Sequence, residues 1–287
     1  MKKLLLILIT ALFSVSSIQS QEIENSLLWK VSGNGLEKSS YIYGTLHLLC
    51  PDQLNIQEKV KRAIKETDQL VMELDFDDPQ VMPTVQRAMI YKDGTTAKDY
   101  LNEKDYKLVS DFFKDSLNMP FERLQAIKPF FLSSMTVIHF LGCQPVSFEQ
   151  QLTNMAKEAS KEVKGLETVE EQISFIESIP REKQKKMLVE GLQDYTEAKR
   201  MFNEMVDHYL DEEISGINQI IEDYMSDDYA EMQLNLLIRR NKKWVDDMKQ
   251  FMQEHSSLVA VGSGHLPGEQ GLINLLIKAG YTVEPVK

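Results

Sequence analysis

Cysteine is scarce in this sequence: Cys50 and Cys143 are the only two among 287 residues. Two are too few for a disulfide scaffold, and a chain of this length buries enough core not to need one. The pair leaves open a disulfide, two separate buried thiols, or a functional thiol at Cys50, three residues beyond His47. Basic residues are in deficit, with 32 Lys and Arg against 44 Asp and Glu and a net charge of −12. So negative a surface repels phosphate backbones and anionic lipid, which excludes nucleic acid as a natural partner. Histidine is sparse too, at five residues. Low-complexity tracts, linkers and short tandem repeats are absent.

Long apolar runs are missing, except for one at the start. Lys2 and Lys3 precede the run Leu4 to Phe13, and small and polar residues fill Ser14 to Ser20. This is the order of a secretory signal. The run is too short to span a bilayer, which takes about 20 apolar residues. Cleavage after Ser20 is expected, with no nearby Cys for a lipid anchor. The expectation is therefore a signal peptide at 1–20 and one domain at 21–287, exported to the periplasm or secreted, with no membrane span after cleavage. Loss of the two lysines takes the net charge from −12 to −14.

The remaining pattern predicts an α/β (α+β) chain. Residues 27–33 and 40–45 read as a hairpin around the Asn34-Gly35 turn. Residues 56–66 read as a helix, and 69–74 as a short buried strand. Helical spacing then dominates about 79–160. A strand-like piece at 162–167 precedes the capping box Thr168-x-x-Glu171. Residues 182–254 are again helical, punctuated near Pro180 and at Gly216. The chain returns to strand at 257–261, helix at 270–279 and strand at 281–286. The expected fold is one central mixed β-sheet from the N- and C-terminal segments, with a large helical insertion. Methionines 201, 205, 225, 232 and 248 in that insertion fit either ordinary core or an adaptable lid.

Two short motifs carry the chemistry. Gly44-Thr45-Leu46-His47 and Gly262-Ser263-Gly264-His265 each close a strand. A glycine there lets the chain turn and a ligand approach, and strand ends are where α/β folds open their sites. Histidine is suited to holding metal or carrying protons near neutral pH. The other histidines, His139, His208 and His255, fall in or beside helical stretches and read as structural or solvated. Glu73 closes the strand at 69–74, and two imidazoles with one carboxylate can hold a divalent ion while leaving a place for water. Glu167 follows the strand at 162–167, where it can reach the same edge or simply put charge at a helix N-terminus. Arg240, beside Arg239 and Asn241, can bind a carboxylate or offset developing negative charge. The expected catalytic set is His47, Glu73, His265, Glu167 and Arg240. The expected metal ligands are His47, Glu73 and His265. Gly44, Thr45, Gly262, Ser263, Gly264 and Asn241 are expected to line the substrate.

These blocks, in this order, resemble the TraB/GumN family, grouped with the Tiki-type proteases. The likeness spans roughly residues 27–286: Tyr43 to His47, Met72-Glu73-Leu74-Asp75, Lys164 to Gln172, Arg240-Asn241, Val261 to Gly271, and Leu275 to Val283. It implies a metal-dependent hydrolase of peptidase type, using manganese or cobalt on a peptide or protein substrate. Two alternatives stay open: a metal-free hydrolase of erythromycin-esterase type, with His47 as base oriented by Glu73, and a non-catalytic peptide- or signal-binding protein.

Overall fold

The computed structural model describes residues 24–224 and 230–287. The expected signal at 1–20 and Met225 lie outside them. Among the described residues, no helix is long and apolar enough to cross a membrane.

The N-terminal hairpin joins β1 (Leu28–Ser32) to β2 (Ser40–Thr45) in antiparallel register, Leu28 opposite Tyr43. Its turn runs through Gly33, Asn34 and Gly35 at φ of 77°, 47° and 85°, a left-handed path that glycine and asparagine adopt at least cost. β3 (Leu48–Leu49) follows, then helix α1 (Glu58–Glu66), which turns Val60, Ala63 and Ile64 inward. β4 (Gln69–Met72) is buried along its whole length. The insertion begins with α2 (Val81–Ala88), α3 (Glu103–Asp115) and α4 (Pro129–Phe140). β5 (Val146–Ser147) leads into α5 (Phe148–Glu158), and β6 (Glu162–Gly165) into α6 (Val169–Glu177). The expected capping box forms: Glu171 N–H donates to Thr168 Oγ1, and Thr168 N–H to the Glu171 carboxylate.

The charged stretch at 182–254 is not one helix. It divides into α7 (Arg181–Gln193), α8 (Tyr195–Leu210), α9 (Ile214–Tyr224), α10 (Ala230–Gln233) and α11 (Arg239–Glu254). Gly216 lies inside α9; the break falls at residues 211–213, where Glu212 takes φ of 58°. α10 and α11 are joined by a π-helical turn, Leu234–Ile238. Such turns are uncommon and concentrate at functional sites. β7 (Ser257–Gly262), α12 (Leu272–Lys278) and β8 (Thr282–Pro285) complete the chain.

Six strands form one mixed sheet in the order β6-β4-β7-β2-β1-β8. β6, β4, β7 and β2 run parallel; β1 pairs antiparallel with β2, and β8 antiparallel with β1, at one side. β4 and β7 sit centrally with almost every side chain buried, as a parallel sheet covered on both faces requires. α1, α11 and α12 contribute to its core through Ile64, Trp244, Met248 and Leu276. The insertion has a second core around Phe113, Phe121, Leu132 and Leu188. Of the insertion methionines, Met232 and Met248 are core, while Met205 faces the cleft described below.

Two features were not legible from periodicity. β3 pairs with β5 as a separate two-stranded ladder, Leu48 opposite Ser147 and Leu49 opposite Val146. Beside it Cys50 and Cys143 form a disulfide with Cα atoms 5.9 Å apart. This settles the cysteine question: neither residue is a free thiol, so Cys50 is not the functional thiol that was open in the sequence.

Candidate functional site

The four parallel strands end at one edge, and each brings one of the candidate side chains there. β2 runs on to His47, β4 to Glu73, β6 to Glu167, and β7 to a 3-10 turn, Ser263–His265. Register enforces the meeting, since Thr45 lies opposite Gly262, and Met72 opposite both Ala260 and Gly165. α11 crosses the same edge just after its π-helical turn and brings in Arg240 and Asn241.

Arg240 is the hub. Its Nη2 donates to Glu73 Oε2 at 2.5 Å and to Glu167 Oε1 at 2.7 Å. Nε reaches both Glu167 oxygens at 3.2 and 3.3 Å. Nη1 donates to the Leu236 carbonyl at 3.0 Å, in the π-helical turn, and lies 3.3 Å from His265 Nε2. A guanidinium has five N–H donors, and these contacts commit all of them. Arg240 is therefore a positioning and charge-balancing residue, not a group free to take a substrate carboxylate. Glu167 stands behind it with no side-chain exposure, and also accepts from Gln172 Nε2 at 2.9 Å and Trp244 Nε1 at 3.2 Å. It does not face the cleft that the other groups line. The expectation that Glu167 takes part in catalysis is corrected: it fixes Arg240.

Glu73 is held from two sides. Its Oε1 accepts the Gly262 N–H at 2.9 Å, and its Oε2 accepts from Arg240 and, at 3.3 Å, from Gln172. Burial opposes ionisation, but Arg240, the two histidines and the Gly262 N–H outweigh it and hold the carboxyl well below the usual carboxylate range. His265 is buried and packs at a tilt against the Trp244 ring, with centroids 4.5 Å apart. Asn241 donates its amide to the His265 and Gln270 carbonyls at 3.3 and 2.9 Å. Its Oδ1 thus remains as acceptor, 2.6 Å from His265 Nδ1. The proton sits on Nδ1, and Nε2, 3.8 Å from Glu73 Oε1, accepts from Arg240 Nη1. Burial pushes the ring down to about 3, with Arg240 and His47 adding to it and Glu73 opposing.

His47 is the contrasting case. Its side chain is 64% exposed, and its Nδ1 lies 2.6 Å from Glu149 Oε1. The surrounding protein opposes its protonation, but the hydrogen bond and charge of Glu149 win and raise it to about 9. Ser147 Oγ in turn donates to Glu149 Oε2 at 2.8 Å. A methyl group placed on Gly262 would lie 3.4 Å from Glu73 Oε1, 3.6 Å from His47 Nε2 and 3.6 Å from His265 Cδ2. One carboxylate and two imidazoles thus converge on the space above Gly262.

That space opens into a cleft of about 770 Å³, within the usual range for ligand pockets. Thr45, Gly262, Ser263 and Gly264 line it. Its lining is largely apolar, with Phe76, Val85, Phe130, Ile176, Ile217 and Leu236 contributing. Two expected substrate contacts are corrected. Gly44 is buried, and a Cβ there would meet Leu266 Cδ1 at 2.8 Å and Ser263 Cα at 3.1 Å, so its smallness lets β2 pack against the His265 turn. Asn241 is buried behind His265 and orients it. Sequence reading missed Glu149. The one trace of it there is Ser147, the N-cap of α5, accepting from Gln150 N–H; nothing local ties that helix start to residue 47. Of the remaining histidines, His139 packs on Phe112 and Tyr195, and His208 pairs with Glu213.

The donors suit a divalent ion in kind. Both imidazoles have Nδ1 engaged by an outer partner, Glu149 or Asn241, as metal-binding histidines do; His47 Nε2 is turned to the site, while His265 Nε2 takes an N–H of Arg240 that an ion would have to displace. In spacing they are open: among the described residues, no three His, Cys, Asp or Glu side chains are gathered as a ready-made metal cluster.

Two outcomes follow. Arg240→Met leaves the Glu73 carboxylate buried without its counter-charge and should cost about 3–5 kcal/mol, read by urea unfolding at neutral pH; a loss below about 1 kcal/mol would show that the cluster does not stabilise the fold. The second concerns acid. Between pH 6.5 and about 3 an unfolded His265 binds a proton that the folded one refuses, so stability must fall as pH falls through that window, by at most about 5 kcal/mol. In chelator, unfolding measured at stepped pH should show a shallower acid loss for His265→Gln than for wild type. Equal slopes would contradict the buried neutral imidazole.

Searches among curated proteins and among solved structures gave no match. A family profile, however, matches residues 27–285, nearly the whole described chain and all the strand-end residues above. The chain belongs to the TraB/PrgY/gumN family.

Proposed function

We propose that this chain is a metal-assisted hydrolase, exported and peptidase-like, with its reaction at the space above Gly262. The observation that carries the reading is the convergence there of Glu73 Oε1, His47 Nε2 and the His265 ring. His47, His265 and Glu73 would hold the ion, with manganese or cobalt the choices implied by the family resemblance. A bound divalent ion supplies a water of lowered pKa and polarises a carbonyl.

The protein's own residues supply orientation and exclusion. Arg240 and the Gly262 N–H fix the two oxygens of Glu73, so one carboxylate oxygen stays directed at the reacting space. Asn241 fixes the tautomer of His265, and Glu149 fixes the ring of His47. The apolar walls seat the non-reacting part of a peptide and keep bulk water from the scissile bond, which strengthens every charge interaction inside.

A metal-free reading has an observation of its own in favour: Arg240 already supplies a positive charge against Glu73 and His265. In that version His47, protonated at neutral pH through Glu149, donates to the leaving group, and ionised Glu73 takes the proton of water. The roles are then the reverse of those expected from the sequence, where His47 was the base.

Residues 21–287, with a mixed peptide pool and mass-spectrometric readout, separate these readings. The expected result is new peptide termini with manganese or cobalt, abolished by chelator, by His47→Ala and by His265→Ala, with both variants folded. Cleavage that survives chelator but needs His47 selects the metal-free version. Peptides retained unchanged would mean a binding protein, and full activity in both variants would remove the site assignment.

A further inference from the structure

The β3–β5 ladder has a position that its size does not explain. It is only two residues long on each strand and stands apart from the six-stranded sheet. A two-stranded element of this kind is marginal by itself. Yet the site depends on it. At one end, His47 and Glu149 flank the pair Leu48–Ser147; the Phe148 N–H donates to the His47 carbonyl at 3.2 Å, and His47 Nδ1 meets Glu149 at 2.6 Å. At the other end, Cys50 directly follows Leu49 and joins Cys143, ninety-three positions away in sequence.

We infer that the Cys50–Cys143 disulfide is a clamp that positions the His47–Glu149 pair, making both cysteines and Glu149 positioning residues for His47. Three observations support this. His47 is largely exposed, so packing does not hold its ring, and among the described residues Glu149 is the one side chain hydrogen-bonded to it. The bond closes the end of the ladder opposite that pair, where it ties the two strands together covalently. The fold has independent anchors on both strands: Leu49 is fully buried, and Phe148 is buried against the rings of Tyr43 and Tyr209. Removing the bond therefore loosens the ladder, and with it the exposed His47–Glu149 pair, without removing the core beneath it.

The experiment reads the hydrogen bond itself and uses neither substrate nor metal, so its failure and that of the hydrolase reading are independent. Histidine ring nitrogens are labelled with 15N in residues 21–287, kept in chelator, and the hydrogen-bonded Nδ1–H signals are recorded. Glu149→Gln assigns the signal of His47. The buried Nδ1–H of His265, held by Asn241 at 2.6 Å, is the internal control for an intact site. In Cys50→Ala/Cys143→Ala, the His47 signal should be lost while that of His265 and the cooperative thermal transition remain. Reducing the folded wild type with dithiothreitol, which passes two electrons and two protons to the bond and leaves two thiols, should give the same loss, reversed on reoxidation. A His47 signal unchanged in the variant and after reduction would overturn the proposal. So would loss of both signals together, which would make the bond a support of the whole fold instead of a local clamp.

Discussion

One buried cation holds the carboxyl edge of the sheet together. Arg240 ties Glu73 at the end of β4 to Glu167 beyond β6, binds the Leu236 carbonyl, and meets His265 beyond β7. A buried charge cluster is costly to assemble and seldom worth its desolvation as a stabiliser alone. Its value here is geometric, because a guanidinium with all five donors committed permits one arrangement of the groups around it. The π-helical turn before α11 belongs to the same constraint, since it presents Leu236 O to the guanidinium.

The two motif histidines look alike in sequence and differ in the fold. His265 is buried, neutral and fixed by an amide; His47 is exposed and tied to a carboxylate that favours its charged form. Their environments push them to opposite sides of neutrality, the pattern expected when two similar groups serve different roles. The outer partners are as specific as the rings. Asn241 dictates a tautomer, and Glu149 sets both orientation and charge.

The sheet was legible because β4 and β7 are short apolar runs, β1 and β2 flank the Asn34-Gly35 turn, and the two glycine-histidine motifs mark the ends of β2 and β7; β6 was found by the capping box that follows it. Glu73 and Arg240 were legible as charged residues beside apolar segments. The role of Glu167 was not, because direction is set by the helix that crosses it: α11 supplies Arg240 and Trp244, which turn the carboxylate inward. Gly44 looked like a site glycine, whereas the nearby Leu266 explains it. Glu149 was invisible for a different reason. Its partner is 102 residues away, and what brings them together, a two-residue ladder and a disulfide, has no periodic signature.

The central claim is that both motif histidines turn a ring nitrogen to one space beside Glu73. Pulsed electron paramagnetic resonance on the manganese-loaded protein tests it most directly. Two imidazole nitrogens should couple to the ion, with one coupling lost in His47→Ala and the other in His265→Ala. An ion that binds without nitrogen coupling, or keeps both couplings when either histidine is replaced, would contradict it.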